Sequence, residues 1–308
     1  MNSNNLLDSL SCELEGELAY DDIIKTIYST DASVYRELPE AVAWPANSSD
    51  LRKLIRFCND NSISLTVRAA GTSLAGQVVG KGIIADISRH MNRIIDFNAV
   101  EKWVLVEPGV IPDELNMFLK PYGLQFGPET STSNRCTIGG MAGNNACGLH
   151  SLVYGSTREH LLEVKCLLSD GSEVVLSSKT PDEIDEIAAG NTLEAKIYRE
   201  MAAILSDPVN ANYIRNGYPD PSITRRNTGY CLDIMLDSEP FTKEAPSFNL
   251  AKLIAGSEGT LAIATELKLN LVPLPPPAKG LLCVHLKNRS DAFTANLTAL
   301  AAPFAVLI

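Results

Sequence analysis

No two cysteines of this sequence stand closer than eleven residues and no Cys-x-x-Cys pair occurs, so neither a zinc knuckle nor a local iron–sulfur cluster is written into it. Histidine is scarce as well. His90, His150, His160 and His285 form no i, i+4 pair and lie near no second ligand at a recognised spacing, so no metal site is expected. Basic charge is in deficit, with 26 Lys and Arg against 37 Asp and Glu and a net charge of −11. A nucleic-acid binder needs a basic face to displace counterions from phosphate, and that class is excluded. Sustained apolar runs are missing too. The 22 residues from Cys136 to Thr157 carry no Asp, Glu, Lys or Arg, but glycines, asparagines and His150 interrupt them, so no transmembrane segment is expected. Met1 to Leu18 holds acids and no basic residue, the opposite of a secretory leader. These absences suit a cytoplasmic protein, free or peripheral to a membrane.

What is present is a globular composition, 45% hydrophobic over 308 residues, enough for two domains. The first forty residues read as helix and loop, with a short helix over Asp21 to Ser29. A strand–helix rhythm follows. Ala41 to Trp44, Leu65 to Arg68, Ile83 to Ile87, Ile94 to Phe97 and Trp103 to Val106 read as strands. Ser48, Ser49 and Asp50 offer caps for a helix carrying Leu51, Leu54, Ile55 and Cys58 at the helical period. Pro112 opens another helix, which stops at Gly123. Phe126 to Gly155 is a Gly/Ser/Thr/Asn stretch with no regular period. Val164 to Leu168 and Glu173 to Leu176 flank Asp170-Gly171, a hairpin signal. Helices are expected over Asp182 to Ala189 and Leu193 to Leu205, irregular chain from Asp207 to Thr242, and a strand from Leu261 to Leu271. Pro273, Pro275, Pro276 and Pro277 then read as a stiff linker. Beyond it, a strand (Leu281 to Leu286), a helix (Asp291 to Ala301) and a strand (Phe304 to Ile308) make a β-α-β start too small to bury its own core. It is expected to belong to a longer protein; the alternative is a small appendage docked on the main body.

The glycines are clustered: six lie between Phe126 and Gly155, and four between Gly71 and Gly82. Glycine lets backbone approach a ligand closely and turn successive N–H groups toward one point, so the clusters read either as an anion cradle or as tight turns. Three neighbouring motifs fail. Gly76 to Gly82 is one residue short of a P-loop and lacks its Ser or Thr, no GxGxxG follows a strand, and Gly71 to Ala75 lacks the second glycine of a nucleophile elbow. Arg225-Arg226, beside Asn227 and Tyr230, reads equally as a carboxylate clamp or as ion pairs with the surplus acids.

Several motifs in order resemble one family. They are Val67 to Gly76, Gly82 to Ile94, Val106 to Val110, Gly127 to Thr130, Thr137 to Gly148, Tyr154-Gly155 and Gly256 to Thr260. Together they resemble the FAD-binding domain of the vanillyl-alcohol oxidase and p-cresol methylhydroxylase family, in its D-lactate, glycolate and D-2-hydroxyglutarate dehydrogenase branch. The resemblance implies an α+β fold of two subdomains holding FAD between them. It divides the chain into an extension (1–36), the FAD-binding domain (37–272), the linker (273–277) and the truncated start of an α+β substrate domain (278–308). Arg68, Ala69, Ala70, Gly71, Thr72, Ser73, Gly76 and Gln77 would wrap the pyrophosphate and part of the isoalloxazine. Pro128, Glu129, Ser133, Thr137, Gly139, Gly140, Asn144, Ala146 and Gly148 would continue the cradle. Glu258, Gly259 and Ile263 would close over the ring or the adenine.

Relatives that hold FAD covalently use a histidine about where Thr72 stands, so the resemblance implies dissociable FAD. It also implies oxidation of a D-2-hydroxy acid by hydride transfer to FAD. Arg225, Asn227 and Tyr230 are candidates for substrate contact, and the catalytic base is expected beyond Ile308. Electrons would pass to an iron–sulfur module in the missing part, a quinone or a soluble carrier. Two other readings use FAD differently: an NADPH-dependent reductase of the UDP-N-acetylenolpyruvylglucosamine reductase type, and an electron-transfer module without its own substrate.

Overall fold

A computed structural model describes residues 3–223, 225–226, 229–278 and 280–301. Two sheets organise it. The first contains β1 (Glu17–Ala19), β2 (Ala41–Trp44), β3 (Leu65–Arg68) and β4 (Ile83–Asp86) in the order β1-β2-β4-β3. Its inner pairs, β2 with β4 and β4 with β3, are parallel, and β1 closes one edge antiparallel to β2. Every residue of β2 and β4 is buried, as central parallel strands covered on both faces require. The helix Ser48–Asn61 crosses from β2 to β3 and buries Leu51, Leu54, Ile55 and Cys58 in the core of this subdomain.

The second sheet is antiparallel. It contains β5 (Ile94–Asn98) and β6 (Trp103–Val106), and later in the chain, beyond the short β7 (Leu124–Gln125), β8 (Leu161–Leu167) and β9 (Glu173–Leu176). A two-residue pair, β10 (Ser178–Lys179) with β11 (Phe248–Asn249), precedes the long β12 (Ile263–Asn270). The order β5-β6-β12-β8-β9 puts β12 in the middle, where its residues alternate between buried and half-buried. A larger core forms on this sheet, under the helices that follow β9 and β10. Leu167 of β8 and Ile263 of β12 pack instead into the first core, so the two subdomains share a wall.

Several expectations are corrected. Residues 1–36 include strand β1, and Leu7 and Leu10 of the preceding helix Ser3–Glu13 are buried in the first core. The cap of the Ser48–Asn61 helix is Asn47, which accepts from the Asp50 N–H. Phe126 to Gly155 is not all loop, since Ile138–Asn144 and Ser151–Tyr154 are helical. Asp207 caps a helix over Pro208–Gly217, and Leu232–Leu236 is a second helix within a stretch expected to be irregular. Leu281 to Leu286 forms no strand; it is exposed and finds no neighbouring strand among the described residues to supply the ladder. A helix follows at Arg289–Leu300 with no buried side chain, and Phe304 to Ile308 lie outside the described residues. No helix among the described residues is long and apolar enough to cross a membrane.

Asp50, freed from capping, locks the N-terminal segment to the first sheet. Its carboxylate accepts from the N–H groups of Glu15 (3.0 Å), Gly16 (2.8 Å) and Ala46 (3.1 Å) and from the Lys53 ammonium (3.2 Å). Burial alone would raise its pKa, but the backbone donors and Lys53 outweigh that and hold it below the ordinary aspartate value. A depressed folded-state pKa contributes stability above the unfolded value near ~4 and loses it as pH falls through the folded one. Asp50→Asn is therefore expected to lower unfolding stability in urea by about 2 kcal/mol at pH 7, with the gap narrowing toward pH 3. A gap that does not change with pH would contradict this account.

Candidate functional site

A cavity of about 620 Å³ opens where the two subdomains meet. Its walls come from the loop after β3, the segments Thr130–Thr132 and 136–147, and the turn leading into β12. The loop after β3 leaves the sheet at Arg68, whose carbonyl accepts the last rung from Ile87 N–H at 3.1 Å. Beyond it, the backbone N–H groups of Ala69, Ala70, Gly71, Thr72, Ser73 and Leu74 have no hydrogen-bond partner among the described residues. All six residues line the cavity. Gly71 makes the turn possible at φ +66°.

The opposite wall is the glycine-rich helix Ile138–Asn144. Its first amides are already used: Ile138 N–H donates to Val110 O (2.8 Å), Gly139 N–H to Pro108 O (2.7 Å) and Gly140 N–H to Thr137 Oγ1 (3.3 Å). The glycines serve close approach instead. A Cβ on Gly139 would stand 2.5 Å from Pro108 Cβ, and one on Gly140 would stand 3.0 Å from Ala69 Cβ. The side-chain-free helix surface thus lies directly against the amide loop.

The turn from Gly256 to Gly259 is strapped onto this helix by Gly256 N–H to Ala142 O and Glu258 N–H to Gly143 O, both 2.9 Å. Behind it Arg158, almost fully buried, donates through Nη2 to Ala255 O (2.6 Å) and through Nε to Lys252 O (3.1 Å). Lys252 Nζ donates back to Arg158 O at 2.8 Å, and burial lowers its pKa. Ser257 Oγ is buried without a hydrogen-bond partner among the described residues, in a residue that lines the cavity. Among the described lining residues Glu258 is the one charged side chain. A smaller cavity of about 180 Å³ adjoins the first and shares Val67, Gly259, Ala262 and Ile263 with it.

Of the residues singled out in the sequence, Ala69 to Ser73, Gln77, Thr137, Gly139, Gly140, Asn144, Ala146, Glu258, Gly259 and Ile263 line the cavity. The remainder stand outside its lining. Arg68 donates through Nη1 to Thr30 O at 2.9 Å and lies over the Tyr28 ring, bracing the loop from outside. Gly76 leaves room for Tyr35. Pro128 is buried, and the Ser133 backbone is tied to Thr130 and Asp113. Gly148 lets Glu129 pack against it, and the Glu129 carboxylate pairs with His150 Nδ1.

Arg226 is an ion-pair partner of Asp233, Arg225 is exposed, and Asn227 lies outside the described residues. Tyr230 reaches the rim of the turn, its Oη 2.8 Å from Thr260 Oγ1. Sequence reasoning missed Val78, Thr132, Cys136, Cys147 and Ser257 as lining residues. Ser257 sits inside a motif that was read, but nothing in the pattern marks its hydroxyl as the orphan. No group of three or more His, Cys, Asp or Glu suited to a metal occurs among the described residues.

The chain is similar to known proteins in sequence and in fold. A family model described as FAD binding domain matches residues 39–177. A D-2-hydroxyglutarate dehydrogenase of Haemophilus influenzae is 37% identical over 97% of this chain and 28% of its own length. A glycolate oxidase subunit of Bacillus subtilis is 27% identical over 88% of the chain and 45% of its own. The chain thus spans about a quarter of the first relative and under half of the second. Among solved structures, 6-hydroxy-D-nicotine oxidase from Arthrobacter nicotinovorans shares the fold, with a TM-score of 0.55 at 17% identity, over 85% of this chain and 43% of that one.

An unpartnered buried hydroxyl costs stability until a ligand meets it. Ser257→Ala is therefore expected to leave the unliganded protein as stable as the parent or more so, by up to about 1 kcal/mol in urea unfolding. A clear loss of stability would show that the hydroxyl already has a partner.

Proposed function

Since this chain is an FAD-binding domain homologous to the D-2-hydroxyglutarate, D-lactate and glycolate dehydrogenases, we propose that it is the flavin-binding part of an enzyme that oxidises a D-2-hydroxy acid. The observation that carries this reading is the run of unpaired N–H groups from Ala69 to Leu74 along a cavity that no lysine, arginine or histidine lines among the described residues. Backbone donors are what an acidic protein can offer a diphosphate. The residues fit FAD on three further counts. Gly139 and Gly140 let the glycine helix pack close against Pro108 and Ala69 at the cavity wall, Ser257 holds a buried hydroxyl in reserve, and a second pocket of about 180 Å³ adjoins the first.

When bound, FAD supplies the hydride-accepting chemistry. The chain's own work is placement. The Ala69–Leu74 amides fix the anionic part, the glycine helix sets the floor, and the Glu258 turn closes the second side. Thr72 occupies the position at which covalently flavinylated relatives carry a histidine, so FAD is held without a bond to the protein. Tyr230, whose hydroxyl is hydrogen-bonded to Thr260 in the turn before β12, is a substrate-contact candidate, and Arg225 and Asn227 remain candidates with it. Arg226 is engaged with Asp233. The proton acceptor for the hydroxyl is assigned to no residue of this chain. The electron acceptor is an iron–sulfur module, a quinone or a soluble carrier, and the protein works in the cytoplasm or at the membrane surface.

Titration with FAD, followed by quenching of flavin fluorescence, is expected to saturate, and acid precipitation to release all the flavin. Gly140→Val should weaken that binding by about tenfold or more, because the branched methyls must displace the Ala69 side of the amide loop. In the whole protein, anaerobic mixing with D-2-hydroxyglutarate, D-lactate or glycolate should bleach the flavin. Bleaching by NADPH alone would favour the reductase reading, and bleaching by neither would favour an electron-transfer module.

A further inference from the structure

The cavity wall carries a hydrogen-bonded chain that passes from one subdomain to the other. Ser73 Oγ and the Ala75 N–H both donate to Gln77 Oε1, the amide at 3.2 Å. Gln77 Nε2 donates onward to Glu258 Oε1 at 3.3 Å, and Asn144 Nδ2 donates to the same oxygen at 2.8 Å. Three segments meet at this point: the amide loop after β3, the last residue of the glycine helix and the turn before β12. Gln77 and Glu258 are 181 residues apart in sequence.

Gln77 can stand in this chain because a primary amide carries an acceptor and donors on one short head. A glutamate there could accept from the loop but could not donate onward, and a lysine could donate but not accept. Glu258 is held at φ +52°, a left-handed conformation uncommon outside glycine, while its own N–H is fixed on Gly143 O. The Glu258 side chain is exposed, and its place is set by the strapped backbone of the turn and by the two side-chain donors that meet its carboxylate.

We infer that Gln77 is a positioning residue, a polar relay that sets the separation of the two subdomains by joining the amide loop to the Glu258 turn. The inference rests on the FAD reading only for the identity of the ligand; the relay lies wholly within the chain. It follows that the direction of the hydrogen bonds matters, and that reversing it at both ends should restore what reversing it at one end destroys. In Gln77→Glu two carboxylates face each other and the onward donor is lost. In Gln77→Glu with Glu258→Gln, the new amide at 258 can donate to the new carboxylate at 77 while still accepting from Asn144.

The test is a double-mutant cycle on Q77E, E258Q and the pair, read by urea unfolding without FAD and by FAD affinity from fluorescence titration. Q77E is expected to lower stability and to weaken FAD binding by about tenfold, and the double variant to recover most of both losses. Q77E equal to wild type in both measurements, or a double variant no better than Q77E, would overturn the relay. If Q77E does not fold, Gln77→Met removes both hydrogen bonds at similar volume without adding charge, and is expected to weaken FAD binding by about fivefold. Unchanged FAD affinity in Q77M would overturn the relay as well. A wild-type chain that binds no FAD would defeat the FAD reading, while the unfolding arm of the cycle still judges the relay.

Discussion

A short run of backbone with its donors left open is the constraint on which the rest of this structure depends. From Ala69 to Leu74 the chain has left the first sheet but entered no other ladder, so along a stretch that lines the cavity its N–H groups are left to solvent or to a ligand. In a protein of net charge −11 such a loop is a local exception to the overall field. Much of the neighbouring structure holds it in place. Arg68 ties its base to Thr30 and Tyr28, Ala32 N–H donates to Gly71 O at 3.1 Å, and Tyr35 packs against Gly76. The N-terminal segment therefore braces the site from behind, anchored in turn by Asp50.

The second subdomain contributes shape more than donors. The helix Ile138–Asn144 has spent its first amides on Val110, Pro108 and Thr137, and its glycines allow the two halves of the cleft to come together. The Gly256–Gly259 turn is built on that helix and backed by the buried Arg158, which caps the preceding carbonyls of Lys252 and Ala255, while Lys252 donates back to Arg158 O. One glycine cluster thus offers N–H groups and the other offers room. Gly71 supplies only the turn in the first, whereas Gly139 and Gly140 supply close approach in the second, and the two segments hold their backbone in opposite hydrogen-bonding states.

That division explains what was legible in the sequence. Strands β2, β3 and β4, the hairpin at Asp170-Gly171 and the helix carrying Leu51, Leu54, Ile55 and Cys58 were readable because apolar period and turn chemistry are local signals. The glycine helix was not, since Gly139, Gly140 and Gly143 argue against helix by propensity and only packing against Pro108 and Ala69 accounts for them. The helix at Pro208–Gly217 hid among Asn and Gly residues, although Asp207 and Pro208 gave its start. Motif order located the cleft, but it could not tell a residue that lines the cavity from one that braces it, as Arg68 does. Nor could it decide between a clamp and an ion pair for Arg226, a choice made by the distant Asp233. Leu281 to Leu286 was read as a strand from its local apolar residues, which supply no neighbouring strand.

The central claim is that the amides of Ala69 to Leu74, and not those opening the glycine helix, receive the anionic part of the ligand. Backbone hydrogen exchange measured with and without FAD tests it most directly. The account predicts that FAD slows exchange across Ala69 to Leu74 and changes Ile138 to Met141 far less, because those amides are already bonded. Slowed exchange at Ile138 to Met141 with the Ala69–Leu74 loop unchanged would contradict it.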